Sequence, residues 1–119
     1  MPKRIKKEDV VAKATLRQVR ISPRKVRQVL ALIKGKQLGA ALQILQFNPN
    51  KAGQITLKLL ESAVANAKHT TSVDVDDLWV TGGFVNMGKT MRRFLPRAQG
   101  RATPLRKRAS HITVELGLR

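Results

Sequence analysis

The chain has no cysteine and no tyrosine among its 119 residues, and only two histidines. Without thiols there is no thiolate metal centre, no disulfide staple and no cysteine nucleophile, and the composition suits a reducing compartment. Long apolar runs are missing too. The longest, Val29-Leu30-Ala31-Leu32-Ile33, falls far short of the roughly 20 residues that span a bilayer. Met1 to Lys7 resembles the charged start of a secretion signal, but Glu8 and Asp9 stand where its apolar segment would begin. A soluble cytoplasmic protein with no membrane partner is expected.

Carboxylates are scarce: 7 Asp and Glu face 24 Lys and Arg, a net charge of +17. With two distant histidines and no paired carboxylates in a plausible cleft, the parts of an enzyme are not there. His69 and His111 have no nearby His or Cys to complete a zinc set, and they read as structural or RNA-contacting residues. Asp74, Asp76 and Asp77 resemble magnesium ligands, but without a phosphate-cradling loop they read as turn chemistry ahead of a strand. No metal and no cofactor is expected.

The distribution of charge is more telling than its sum. Residues 1–37 carry twelve basic side chains against two acidic, 38–87 three against four, and 88–119 nine against one. The middle is a neutral core and the ends carry the charge. From Lys89 to Arg108 there are eight basic residues (Lys89, Arg92, Arg93, Arg97, Arg101, Arg106, Lys107, Arg108) and no acidic one. Self-repulsion on this scale disfavours a compact state unless a polyanion neutralises it.

A chain of this length supports one domain over 1–119, with a basic tail at 1–11. Ala12 to Arg20 alternates as a strand, Ala14, Leu16 and Gln18 on one side and Thr15, Arg17 and Val19 on the other. Ser22-Pro23 predicts a helix start, the serine hydroxyl accepting from an orphan N–H and the proline giving up a donor that had no partner. Val26, Val29, Leu30 and Ile33 then trace one buried face, and Gly35 ends it. A second helix follows from Leu38, burying Leu38, Ala41, Leu42 and Leu45. A third, opened by Asn48-Pro49, runs to about Lys68 and buries Ala52, Ile55, Leu59, Ala63 and Ala67. Strands are predicted from Leu78 to Val85 and from about Arg106 to Leu116, after a polar loop over Thr70 to Asp77.

Residues 86–105 show almost no core-forming periodicity, and long stretches of that kind are usually functional or disordered. Gly88, Pro96, Gly100 and Pro104 punctuate a hairpin with arms of about ten residues, reaching ~30 Å at ~3.3 Å per residue. A phosphate backbone is the natural counterpart of its arginines, whose forks match phosphate oxygens and release condensed counterions. Aromatic residues make up 3% of the chain; Phe47, Trp79 and Phe84 read as core, which leaves only Phe94 in the arm. Modules that read unstacked bases need several aromatic platforms, so recognition of RNA shape and backbone is expected.

The first helix supplies a second signal. Arg24 and Lys25 lie in its first turn, where cations oppose the helix dipole by ~0.3–1 kcal/mol each. An incoming phosphate reverses that sign and makes the helix start, flanked by Arg20, Arg24, Lys25 and Arg27, an anion site. The plainer alternative is a solvated basic face. A DNA-binding helix-turn-helix over residues 23–34 and 38–46 is the main competitor, but its second helix offers only Gln43 to read bases. A membrane-active cationic peptide would need a periodic apolar face that the basic arm lacks.

These residues also carry a resemblance. Arg92, Arg97-Ala98, Gly100-Arg101, His111-Ile112, Val114 and Leu116, in this spacing, resemble the signature of the "L twenty-two" family of large-subunit ribosomal proteins. Val19 to Arg27, Ile33 to Lys36, Glu61 to Ala67 and Lys107 to Thr113 resemble the same family in order, over roughly residues 12–116. The sequence departs from the family pattern at Lys89, where many relatives have proline, and at Gly82-Gly83, where bulkier strand residues are expected.

The resemblance implies an α+β fold: three helices packed on a small antiparallel sheet of about three strands, with a long protruding β-hairpin. It implies binding to large-subunit ribosomal RNA, an early role in subunit assembly, and a hairpin that lines the polypeptide exit tunnel. The candidate RNA-binding residues are then Arg17, Arg20, Ser22, Arg24, Lys25, Arg27, Lys89, Arg92, Arg93, Arg97, Arg101, Arg106, Lys107, Arg108 and His111. Met91, Arg92 and Arg93 would lie towards the hairpin tip. The implied partners are ribosomal RNA, neighbouring large-subunit proteins and the nascent polypeptide, with no homo-oligomer, in a cytoplasmic or organellar ribosome.

Overall fold

The first strand shows how alternation builds the body. In β1 (Val10–Val19) Ala12 and Ala14 are buried while Lys13 and Thr15 are exposed, as a strand with one face on a core requires. The computed structural model describes residues 10–70, 72, 74–96, 100 and 102–118, with Met91, 93–96 and 102–106 described by their backbone. The expected tail at 1–11 therefore falls mostly outside the described residues, and Val10 and Val11 already belong to β1. The alternation is broken between Leu16 and Val19 by a register shift, where Gln18 adopts a left-handed φ of 54°. Leu16 is 37% exposed and Gln18 exposed, so the core-facing run of this strand ends at Ala14 rather than continuing to Gln18.

Helix α1 (Pro23–Ile33) begins at the expected proline and buries Val26, Val29, Leu30 and Ile33. The Ser22 side chain makes no cap bond; its backbone carbonyl instead accepts from the Lys25 and Val26 amides. That expectation is corrected: Ser22 borders an open cleft. Gly35, at φ 76°, turns the chain out of the helix and donates to the Val80 carbonyl at 2.8 Å.

Helix α2 (Leu38–Gln46) buries Leu38, Ala41 and Leu45, with Leu42 half-buried. The Asn48 side chain accepts from the Asn50 amide at 2.9 Å, a local turn that launches α3 (Lys51–Thr70). That helix buries Ala52, Leu59, Ala63 and Ala67 as expected, together with Gly53, Thr56 and Leu60, and leaves Ile55 half-buried. Thr56 is tolerated in the core because its hydroxyl donates to the Ala52 carbonyl at 2.7 Å. A single 3-10 turn, Val75–Asp77, follows, with the Asp74 carboxylate accepting from the Asp76 amide at 3.1 Å.

Strands β2 (Trp79–Met87), β3 (Met91–Pro96), β4 (Ala102–Lys107) and β5 (Ser110–Gly117) complete the chain. The main sheet is antiparallel in the order β1-β5-β2, with β5 at its centre. Helix α3 lies across β1 and β5, and α1 across β2. Three helices on one face of a three-stranded antiparallel sheet make this the expected α+β fold. Between them Ile33, Leu38, Leu60, Val80, Ile112, Val114 and Leu116 are fully or almost fully buried, each worth about 1.5–3 kcal/mol of transfer from water.

Two aromatics expected in this core are outside it. Phe47 is 85% exposed because it lies one residue past the last turn of α2. Phe84 is 49% exposed because it alternates with Gly83 and Val85, and those two positions meet the helices. Trp79 is half-buried.

β3 and β4 form a second, two-stranded sheet that continues the β2–β5 hairpin. Met87 stands opposite Ser110, the Gly88 amide donates to the Ala109 carbonyl at 2.8 Å, and pairing resumes at Met91 opposite Lys107. Three residues on one side (88–90) therefore match two on the other (108–109), the one-residue excess of a β-bulge, which bends a ribbon. The ribbon closes between Pro96 and Ala102, with Gly100 at φ 71° in the reversal. In this register Met91, Arg92 and Arg93, expected towards the tip, stand opposite Lys107, Arg106 and Leu105, and three further pairs follow before the reversal.

Candidate nucleic-acid interface

Three segments far apart in sequence meet around one open cleft of about 710 Å³. Arg20, Ser22 and Lys25 come from the loop and first turn of α1, Lys51 from the first position of α3, and Lys107 and Arg108 from the junction of ribbon and body. Among the described residues the lining holds five cationic side chains and no carboxylate. The first turns of both helices also lack an acidic residue.

Each helix start concentrates partial positive charge on its unpaired amides, so a cation beside it costs ~0.3–1 kcal/mol in the free protein. Two helix starts and five cations facing one cleft are an arrangement that folding alone does not favour, and that a bound phosphate would turn to advantage. The cleft is held open by a buried tether: the Ser110 hydroxyl donates to the Ile21 carbonyl at 2.6 Å, and the Ile21 amide donates to the Val19 carbonyl at 2.8 Å.

Five of the expected RNA-binding residues thus converge: Arg20, Ser22, Lys25, Lys107 and Arg108. Arg24 and Arg27 are exposed on α1 outside the cleft lining, and Arg27 donates from Nη2 to the Val85 carbonyl at 3.1 Å, clipping α1 to β2. Arg17 and His111 lie on the opposite, helix-free side of the sheet. Lys89 is exposed at the bulge, its amide donating to Gln18 Oε1 at 3.3 Å. Arg92 is exposed on β3, and the register sets it opposite Arg106, with Arg93 opposite Leu105. Like charges opposite each other weaken a ribbon. Arg97 and Arg101 lie outside the described residues.

Lys51 is the cleft cation that sequence reading did not single out. A signal was present: Asn48-Pro49-Asn50-Lys51 repeats the pattern of Ser22-Pro23-Arg24-Lys25, a capping residue, a proline and then a lysine at a helix start. The Asp74 carboxylate accepts from the Asp76 amide, the turn chemistry expected of Asp74, Asp76 and Asp77. The helix-turn-helix reading meets an α2 whose face packs on α3.

The family model described as Ribosomal protein L22p/L17e matches residues 14–117. The Large ribosomal subunit protein uL22 of Pelotomaculum thermopropionicum is 50% identical over 103 residues, which cover 87% of this chain and 91% of that protein. From the basic cleft, the α+β body and a match spanning almost the whole chain, the protein belongs to the L22p/L17e family of ribosomal proteins, as a structural component of the large subunit.

Proposed function

We propose that this chain, a single domain over 1–119, binds large-subunit ribosomal RNA through the cleft and through the β3–β4 ribbon, and that doing so early helps the subunit assemble. As a ribosomal protein it resides in the cytoplasm, on the ribosome. The observation that carries the reading is the convergence of Arg20, Lys25, Lys51, Lys107 and Arg108, from three distant segments, on one cleft with no acidic residue among its described lining. A chain of net charge +17 gains most from a partner that brings its own dense negative charge.

The basic arm at 86–105 acts as an extension that follows RNA inward and lines the exit tunnel, alongside neighbouring large-subunit proteins and the nascent polypeptide. The molecule's extents of 63 × 29 × 25 Å support such an arm, as does a radius of gyration of 17.2 Å against ~13.5 Å for a compact chain of this length. Arg92, Arg93, Arg97, Arg101 and Arg106 would supply its phosphate contacts, and Arg24, Arg27 and Lys89 would add contacts at its root.

The test is a filter-binding or fluorescence titration of the full chain with a folded large-subunit RNA fragment over a range of salt. Lys25→Ala combined with Lys107→Ala and Arg108→Ala should weaken binding and flatten the salt dependence, by roughly 0.7–0.9 in logarithmic slope for each phosphate no longer neutralised. Unchanged affinity and slope would remove the cleft from the interface.

A further inference from the structure

Among the described residues no helix packs on the outer side of the β1–β5–β2 sheet, and one hollow there holds the features of a base-binding site. Its centre is the row Thr15, Thr113 and Phe84, paired directly across all three strands. Thr15 and Thr113 are joined hydroxyl to hydroxyl at 3.2 Å, which leaves Phe84, 49% exposed, as the apolar surface of the row. On one flank the neighbouring position of β2 is Gly82, which has no side chain to cover the ring; even an added Cβ would meet nothing closer than a Glu115 carboxylate oxygen at 3.5 Å. The Glu115 carboxylate therefore borders this flank, and the hollow beside the ring measures about 310 Å³.

Polar groups surround that space. Asn86 and His111 pair on the row below, and Arg17 and Lys13 rise from β1, both exposed. His111 Nδ1 accepts from the Gln18 amide at 3.1 Å, so the neutral ring carries its proton on Nε2 and offers a donor there. Among the described residues Glu115 is the one carboxylate lining the hollow, against Lys13 and Arg17.

A singly exposed aromatic ordinarily needs no explanation. Here it lies among an amide, an imidazole donor, the exposed Thr15 hydroxyl, two cations and one carboxylate, on the helix-free face of an antiparallel sheet. That is chemistry able to hold an unstacked nucleotide, with ring against base, amide and imidazole at the base edge and cations on the flanking phosphates. We propose that this hollow takes one unpaired base of RNA against Phe84, as a second contact on the side of the sheet opposite the cleft. The inference rests on the reading that the chain binds ribosomal RNA, and adds to it a contact that reads an unpaired nucleotide where the cleft reads backbone charge. The excess of cations over carboxylate favours a nucleotide over an apolar protein surface.

The test uses the full chain with two probes: a short single-stranded oligoribonucleotide bearing 5-iodouridine, and a folded large-subunit RNA fragment. Photocrosslinks to the oligonucleotide should map to Phe84. Phe84→Leu should weaken oligonucleotide binding by roughly 5- to 150-fold, the range for losing one base–aromatic stack, while Phe84→Trp should retain it. Should Phe84→Leu also lower the melting temperature, Arg17→Gln carries the same test and should weaken oligonucleotide binding severalfold. The cleft variant Lys25→Ala/Lys107→Ala/Arg108→Ala reports separately through the folded fragment, so failure there strikes the cleft and not the hollow. Wild-type oligonucleotide affinity in Phe84→Leu, crosslinks only at other residues, or loss in Phe84→Leu of binding to another ribosomal protein with RNA binding intact would each overturn the proposal.

Discussion

The hydroxyl of Ser110 donates to the carbonyl oxygen of Ile21 at 2.6 Å, across 89 residues of sequence, with Ser110 fully buried. This one bond joins the segment that carries Arg20 to the segment that carries Lys107 and Arg108. Val19 pairs with Ser110 immediately beside it, so the two basic segments diverge from a common point to form two walls of the cleft. The cations repel one another, and the buried bond holds them where an anion between them lowers the energy.

Ser110→Ala should therefore lower stability by about 1–3 kcal/mol, the cost of leaving a buried carbonyl without its donor. Urea denaturation with an unchanged m-value checks this. The same variant should weaken binding to folded ribosomal RNA although the residue itself presents no charge. A neutral effect on both would mean that the tether does not shape the cleft.

The two adjacent glycines of β2 should respond differently to alanine. A Cβ at Gly83 would lie 2.8 Å from the Thr113 carbonyl oxygen, a clash with backbone that cannot yield. At Gly82 the nearest atom is the end of the Glu115 side chain at 3.5 Å. Gly83→Ala is expected to cost about 1–3 kcal/mol and Gly82→Ala less than about 0.5 kcal/mol, read from thermal unfolding. The clash accounts for the departure from bulky strand residues at the second of these positions.

Free in solution, the chain should become more heat-stable as monovalent salt is raised. Its net charge of +17 makes self-repulsion a destabilising term, and salt shortens the range of that repulsion to ~8 Å at physiological strength. Removing Lys25, Lys107 and Arg108 should raise the melting temperature at low salt and diminish its salt dependence. RNA binding should show the reverse, weakening as salt rises. A melting temperature that falls with added salt would argue for net attraction among these groups.

Amides of the ribbon should exchange with solvent much faster than those of Ile112 and Val114 in the central strand. A two-stranded ribbon is marginal by itself in water, and here Arg92 stands opposite Arg106. Adding folded ribosomal RNA should slow exchange over Arg92 to Leu95 and leave the core amides unchanged. Equal protection of ribbon and core in the free chain would contradict this.

The helices were legible because their signals are short. Pro23, Gly35 and the spacing of Val26, Val29, Leu30 and Ile33 lie within one helix or at its end and depend on nothing outside it. Less legible was what each side chain faces. Phe47 and Phe84 have the composition of core residues, yet one sits past a helix end and the other on the helix-free side of a strand. Ser22 carries a capping side chain but makes no cap bond with it. Lys51 gave a local signal whose meaning depended on α1 being its neighbour across the cleft.

The order of residues alone determined the three helices, the segregation of charge to the two ends and the demand for a polyanionic partner, since helix periodicity and composition are properties of neighbouring residues and of their sum. Only the tertiary structure decided which cations share a cleft, which aromatics are left in the open and where the ribbon turns. Those depend on strand register and on bonds such as Ser110 to Ile21, which unite groups 89 residues apart. No local interaction encodes such a meeting; it is selected when the whole core packs at once.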